Sequence, residues 1–149
     1  MSDGANALNK DEIKEFFKKD RFADMIGVRI DSVSADEVVC SLEIEEVHLN
    51  AGDRVQGGVI FTLADFVFAI ACNYNDLTED KKNITVSHSS NIIFFKPAVG
   101  KRLIATSKCL QKGRKLSVYR MTVTDDKGTN VAEMTGNAYT VLLGTRIAE

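Results

Sequence analysis

An aspartate inside an apolar run is the first residue of this chain that needs a chemical reason. From Val59 to Cys72 only Thr62 and Asp65 fall outside the hydrophobic set, and a carboxylate that loses water there without gaining partners costs on the order of several kcal/mol. Two readings stand. Asp65 lies on the least buried stripe of a helix and is capped by a neighbouring loop, or it is a general base or nucleophile in an apolar cleft. Gly57-Gly58 comes just before, either as a tight turn or as a helix start whose free amides suit an oxyanion. His48 sits in a loop, where histidine commonly serves as a structural hydrogen-bonding residue. His88 alternates with Val86 and Ser90 and reads as a satisfied strand residue.

These residues need elements to hold them. Met1 to Leu8 reads as a frayed terminus, and Asn9 with Glu12 three residues on forms a capping-box pattern that opens an amphipathic helix over 10–23. Half-buried strands follow at 28–33 and 38–44, the second with Val38, Cys40, Leu42 and Ile44 on one face. Glu46 to Gly58 has no period and reads as a loop delivering the chain to a helix over 58–75. Four strands close the chain at 84–95, 102–110, 115–124 and 130–142, with turns at Lys112-Gly113 and Asp125-Asp126-Lys127-Gly128. A helix apolar almost all round cannot lie on a flat sheet with its other side in water. The pattern is α+β, with a curved antiparallel sheet wrapped around a buried helix, and a short tail over 1–20 leads into one domain over 21–149.

Composition excludes several classes. The 149 residues suffice for one core but not for a separate cofactor module. Nineteen basic against twenty-one acidic side chains give a net charge of -2, so no general positive field favours nucleic acid or an anionic membrane. The apolar run is shorter than the roughly 20 residues a spanning helix needs. Cys40, Cys72 and Cys109 are odd in number and widely spaced, and the polar start Met1 to Lys10 is no signal peptide. The expectation is a cytoplasmic protein with free buried thiols and no structural metal.

The run H-L-N-A-G-D-R-V-Q-G-G-V-I-F-T-L-A-D-F-V-F-A-I-A-C-N resembles the signature of hotdog-fold thioesterases of the phenylacetate-degradation (PaaI-like) type, close to H-x-N-x-x-G-x-x-H-G-G-x-x-x-x-L-A-D. Ile92 to Phe95, Pro97, Gly100, the Gly113-Arg114 turn, Ala132 and Gly136 fit the same layout. The resemblance covers nearly all the chain after about residue 20. It implies that Asp65 activates water or attacks a thioester carbonyl, that Gly57 supplies an oxyanion amide, and that Asn50 orients the carbonyl or the water. Ser87 falls where relatives place a polar residue beside the acid, with Ser89 and Ser90 close enough for a register error. His48, Gln56, Gly58, Phe66, Lys96 and Arg114 become candidate substrate contacts, the two basic residues for coenzyme A phosphates. Phe61, Phe66 and Phe68 line an acyl slot or form core. Gln56 departs from the usual histidine, and it can donate a hydrogen bond but cannot carry a proton.

Gly57 and Asp65 lie eight residues apart, about 12 Å along a helix, yet an oxyanion donor and a base must meet at one carbonyl. Two antiparallel helices from two chains would bring them together, which is the arrangement the resemblance implies. The expectation is an obligate homodimer, paired again as a homotetramer, that hydrolyses a small or medium acyl- or aryl-CoA without any cofactor. The alternatives are a non-catalytic acyl-CoA-binding protein and a hydroxyacyl-thioester dehydratase, the latter disfavoured by Gln56.

Overall fold

Asn9 starts the first helix as the spacing predicts. Its side chain accepts from the Asp11 and Glu12 amides while the Glu12 carboxylate takes the Asn9 N–H at 2.8 Å. The computed structural model describes residues 6–80 and 82–142; the first five residues of the expected terminus and the last seven of the expected domain lie outside these. Within that range the terminus is not frayed throughout, since Leu8 donates to the Leu77 carbonyl and Ala7 bridges Thr78.

The single helix expected over 10–23 is two. Helix α1 spans Lys10–Phe17 and α2 spans Arg21–Ile26. Asp20 interrupts the run because its carboxylate caps a new helix through the Ala23 amide, and Gly27, at φ 88, ends that helix. Ile13 and Phe17 of α1 are buried with the rest of the core, so α1 packs into the same body as the residues after 20.

Strands β1 (Arg29–Val33), β2 (Val38–Glu43), β3 (Asn83–Phe94), β4 (Arg102–Lys112), β5 (Leu116–Asp125) and β6 (Asn130–Leu142) form one antiparallel sheet in the order β1-β2-β4-β5-β6-β3. Helix α3, Gly57–Asn73, lies against it and packs on β2, β3, β4, β5 and β6. At Gly136 of β6 the two come close, since a Cβ there would stand 2.7 Å from the Phe68 ring. Only glycine lets that ring sit against the strand. The same ring meets Tyr119, the residue paired with Gly136 on β5, at 5.9 Å between centroids.

The helix is pinned at its far end. Asn73 donates to the Thr85 carbonyl at 2.8 Å and accepts from the Thr85 amide at 2.9 Å, fixing the start of β3 beside the end of α3. At the other end the Phe94 ring lies 3.3 Å from where a Gly57 Cβ would be. Helix and edge strand therefore run antiparallel, which sets Asp65, midway along α3, level with the serine run of β3. Cys40 and Cys72 are buried, and burial pushes each thiol up to about 12. Cys109 departs from expectation: it is exposed, because it precedes a bulge where β4 outruns the core.

Candidate active site

Along α3 the partly open residues are not scattered. Gly58, Phe61, Thr62, Asp65 and Ala69 share one stripe, while Ile60, Leu63, Ala64, Val67 and Ile70 are buried beneath. One side of the stripe faces β3. Residues opposite one another in an antiparallel pair share a face, so Ser87, Ser90, Ile92 and Phe94, opposite Ala138, Gly136, Met134 and Ala132, point to the helix side. Ser89 points outward and takes the Asn137 amide at 2.9 Å. The register therefore turns Ser87 and Ser90 to the helix side, with their hydroxyls 3.4 Å apart, and Ser89 away from it. His88 is the extra residue of a bulge and is exposed. The satisfied strand position expected for it is not what the bulge provides.

Asp65 makes no hydrogen bond or ion pair among the described residues, so the loop cap that would have accounted for it is missing. Burial raises its carboxyl above the ordinary aspartate value of 3.8, and the Asp20 carboxylate at the start of α2 raises it further. An unpartnered carboxylate with its charged form disfavoured is a better proton acceptor than one in water.

The start of α3 is equally unsatisfied. Gln56 is the N-cap residue, yet its side chain makes no capping bond. It folds over Gly58 instead, with Oε1 2.6 Å from where a Cβ would stand. Val59 and Ile60 donate back to the Gln56 carbonyl, whereas the amides of Gly57 and Gly58 donate to nothing among the described residues. No acidic side chain occupies the first turn, so two N–H groups and the positive end of the helix face outward together.

Asn50 is held in the loop before the helix. Its side-chain oxygen accepts from the Gly52 and Arg54 amides at 2.8 and 3.2 Å, which leaves the NH₂ without a partner among the described residues. The locked amide can only be a donor outward. His48 does not face a ligand: it is 2% exposed, with Nδ1 2.9 Å from the Glu45 amide and Nε2 2.7 Å from the Ile26 carbonyl. Phe66 is also diverted from the slot, 5% exposed and edge-on to Phe17 at 6.1 Å; its place on the wheel turns it toward α1. Phe68 is core and Phe61 lies on the open stripe.

Lys96 and Arg114 do not act together in one chain. Lys96 follows β3 and borders an open cleft of about 580 Å³ with Pro97, Val99, Lys127, Gly128, Thr129 and Asn130. Arg114 sits on the β4–β5 turn, at the opposite end of β5, roughly 30 Å away by strand rise. Sequence spacing missed three neighbours of the site: Asp20 beside Asp65, Phe94 over Gly57, and Lys127 across from Lys96. Each comes from a distant element, and no local pattern signals it. Among the described residues no group of three His, Cys, Asp or Glu side chains could hold a metal ion, and no helix is long and apolar enough to cross a membrane.

The chain is similar to known proteins in sequence and shape. It is 27% identical over 126 residues to the acyl-coenzyme A thioesterase PaaI of Escherichia coli, covering 84% of this chain and 86% of that protein. Acyl-coenzyme A thioesterase 13 of Homo sapiens is 27% identical over 118 residues, 78% of this chain and 81% of its own length. The solved structure of the PaaI protein from the E. coli phenylacetic acid degradation operon superposes with a TM-score of 0.77 at 26% identity, covering 85% of this chain and 88% of that one. With the family profile matching residues 53–132, more than half of its length, the chain belongs to the thioesterase superfamily, built on the hotdog fold.

Proposed function

We propose that the protein is an acyl-CoA thioesterase whose base is Asp65, working in a site shared by two copies of the chain. The observation that carries this is the unpartnered Asp65 carboxylate on the open stripe of an otherwise buried helix. A carboxylate left there without a cap is stable only at a cost, and deprotonating water is work that explains it.

The stripe reads the same from either end, with Gly58 and Asp65 equally far outside Phe61 and Thr62. Two such helices packed antiparallel would set the start of one against Asp65 of the other. The edge strand supports the same partner. Strand β3 is twelve residues long with Val86, Ile93 and Phe94 exposed, whereas the other edge, β1, has only five residues. A long edge of this kind calls for cover.

In this site Asp65 takes a proton from water as the water oxygen attacks the thioester carbonyl. The Gly57 amide of the partner copy holds the oxyanion, and the Asn50 NH₂ fixes the water or the carbonyl. The carbonyl re-forms as the C–S bond breaks, and the thiolate leaves and takes the proton, giving free acid and coenzyme A. Direct attack by Asp65 through an anhydride uses the same geometry. Ser87 flanks the acid and Gln56 closes the mouth with a donor. Lys96 from one copy and Arg114 from the other supply charge for the coenzyme A phosphates. No step needs a metal or redox cofactor. The exposed Val86 and Leu116, on either side of the half-buried Tyr139 on the outer sheet face, support pairing of dimers into a tetramer, and the buried free thiols support a reducing cytoplasm.

Thiol release from acetyl-, hexanoyl- and phenylacetyl-CoA, followed with a chromogenic thiol reagent, tests the activity. Two dead variants test the shared site. Asp65→Asn removes the base, and Gly57→Pro removes the amide at a helix position where proline fits. Mixed and refolded together, they are expected to recover about a quarter of the wild-type rate, because half the dimers are mixed and each mixed dimer holds one intact site. No recovery would sink the shared site, and no thiol release by the wild type would sink the hydrolase reading.

A further inference from the structure

His48 is a buried residue that the mechanism leaves unused, and both of its ring nitrogens are engaged. Nδ1 meets an N–H donor, the Glu45 amide, so it must be the bare acceptor nitrogen. Nε2 meets a carbonyl, that of Ile26, so it must carry the hydrogen. Only the neutral Nε2–H tautomer satisfies both contacts. The backbone of the same residue is also engaged. Its amide donates to the Glu45 carbonyl at 3.0 Å, and its carbonyl accepts the Gln56 amide at 2.8 Å.

Each bond leads to a part of the site. Gln56 is the N-cap of α3, so the bond from its amide sets where the Gly57 N–H begins. Asn50 lies two residues beyond His48 in the same loop, closed by the Asn50–Arg54 and Leu49–Val55 pairings. Ile26 is the last residue of α2, and the first turn of that helix is capped by Asp20, the carboxylate that acts on Asp65. His48 and Ile26 are 22 positions apart in sequence, so the Nε2–H bond is a long-range tie that joins the loop to α2.

We propose that His48 is a positioning residue: its imidazole clasps the end of α2 to the loop before α3, and so fixes the Gly57 amide, the Asn50 donor and the α2 flank of Asp65 relative to one another. This rests on the hydrolase reading above. It makes no contact with substrate, and its effect is on the placement of groups that do. A misplacement of about 1 Å at such groups costs on the order of a hundredfold in rate.

His48→Asn keeps an acceptor for Glu45 but is too short to reach Ile26, whereas His48→Gln restores the reach. With the acyl-CoA that the wild type turns over best, the Asn variant is expected to lose about ten- to a hundredfold in kcat with KM changed less than about twofold. The Gln variant should recover part of that loss. Amide exchange at Gln56 should quicken in the Asn variant, and the wild-type imidazole ¹⁵N spectrum should show Nε2 protonated and Nδ1 bare, a readout that needs no variant to fold. An unchanged kcat in the folded Asn variant, or the opposite tautomer, overturns the proposal. If the wild type releases no thiol, the hydrolase reading fails separately, and unchanged exchange at Gln56 then overturns the clasp.

Discussion

The middle of α3 and the turn between β5 and β6 each take a carboxylate away from bulk water, and they treat it in opposite ways. Asp125, 3% exposed, accepts backbone N–H bonds from Val99 and Gly100 of one loop and Lys127 and Thr129 of another, all between 2.8 and 3.0 Å. Burial alone would raise its carboxyl; the amides outweigh that and hold it far below the ordinary aspartate range. Asp65 has burial and a second carboxylate and no donor among the described residues, so its carboxyl rises. One aspartate is spent on structure because its charged form is solvated by the backbone. The other keeps its reactivity because nothing solvates it.

The contrast can be tested by removing each charge. Asp65→Asn is expected to lower kcat for acyl-CoA by about a thousandfold, within the range for loss of a general base, while the circular dichroism stays that of the wild type. Asp125→Ala should do the reverse: it strands four backbone donors between the two loops and should cost about 3 kcal/mol or more in urea unfolding, with the main loss in stability and not in the chemical step. Gly136→Ala comes next. It sets a Cβ 2.7 Å from the Phe68 ring, and overpacking there should cost about 1–3 kcal/mol.

The smallest effect concerns pH, and the two aspartates have opposite signs. A raised native pKa means that the stabilising contribution of Asp65 is present below 3.8 and is lost as pH rises through the raised value. Asp65→Asn should therefore melt above the wild type near neutrality, with the gap closing as pH falls toward 3.8. A lowered native pKa means that Asp125 stabilises above 3.8, and this contribution fades as pH falls toward its depressed value. If Asp65→Asn melts lower than the wild type at neutral pH, Asp65 has a partner and the contrast is broken.

Much of this was legible along the chain. The capping box at Asn9, the six strands and the buried helix are local or periodic signals, and their bounds in the structure lie within a few residues of the reading. Asp65 and Gly57 were legible because a carboxylate and a pair of glycines stand out against an apolar run. The break at Asp20 was not, because an aspartate inside an amphipathic pattern reads equally well as an exposed face. The hydrogen-bonding role of His48 and the core place of Phe66 were among the open readings, but their partners were not legible. Ile26 and Phe17 lie on other elements, and spacing says nothing of which distant backbone atom or ring a side chain will meet.

By itself the sequence determined the class of the fold and the two groups with chemistry to explain, since period, capping and turn residues act over a few positions and a charge among apolar neighbours is visible without coordinates. Only the tertiary structure decided which polar groups stay unsatisfied. It turned Ser87 and Ser90 inward and Ser89 outward, engaged every hydrogen-bonding atom of His48, and left Asp65 and the Gly57 amide with no partner among the described residues. Satisfaction is a property of where chains cross, so it is settled when the sheet closes on the helix and not before.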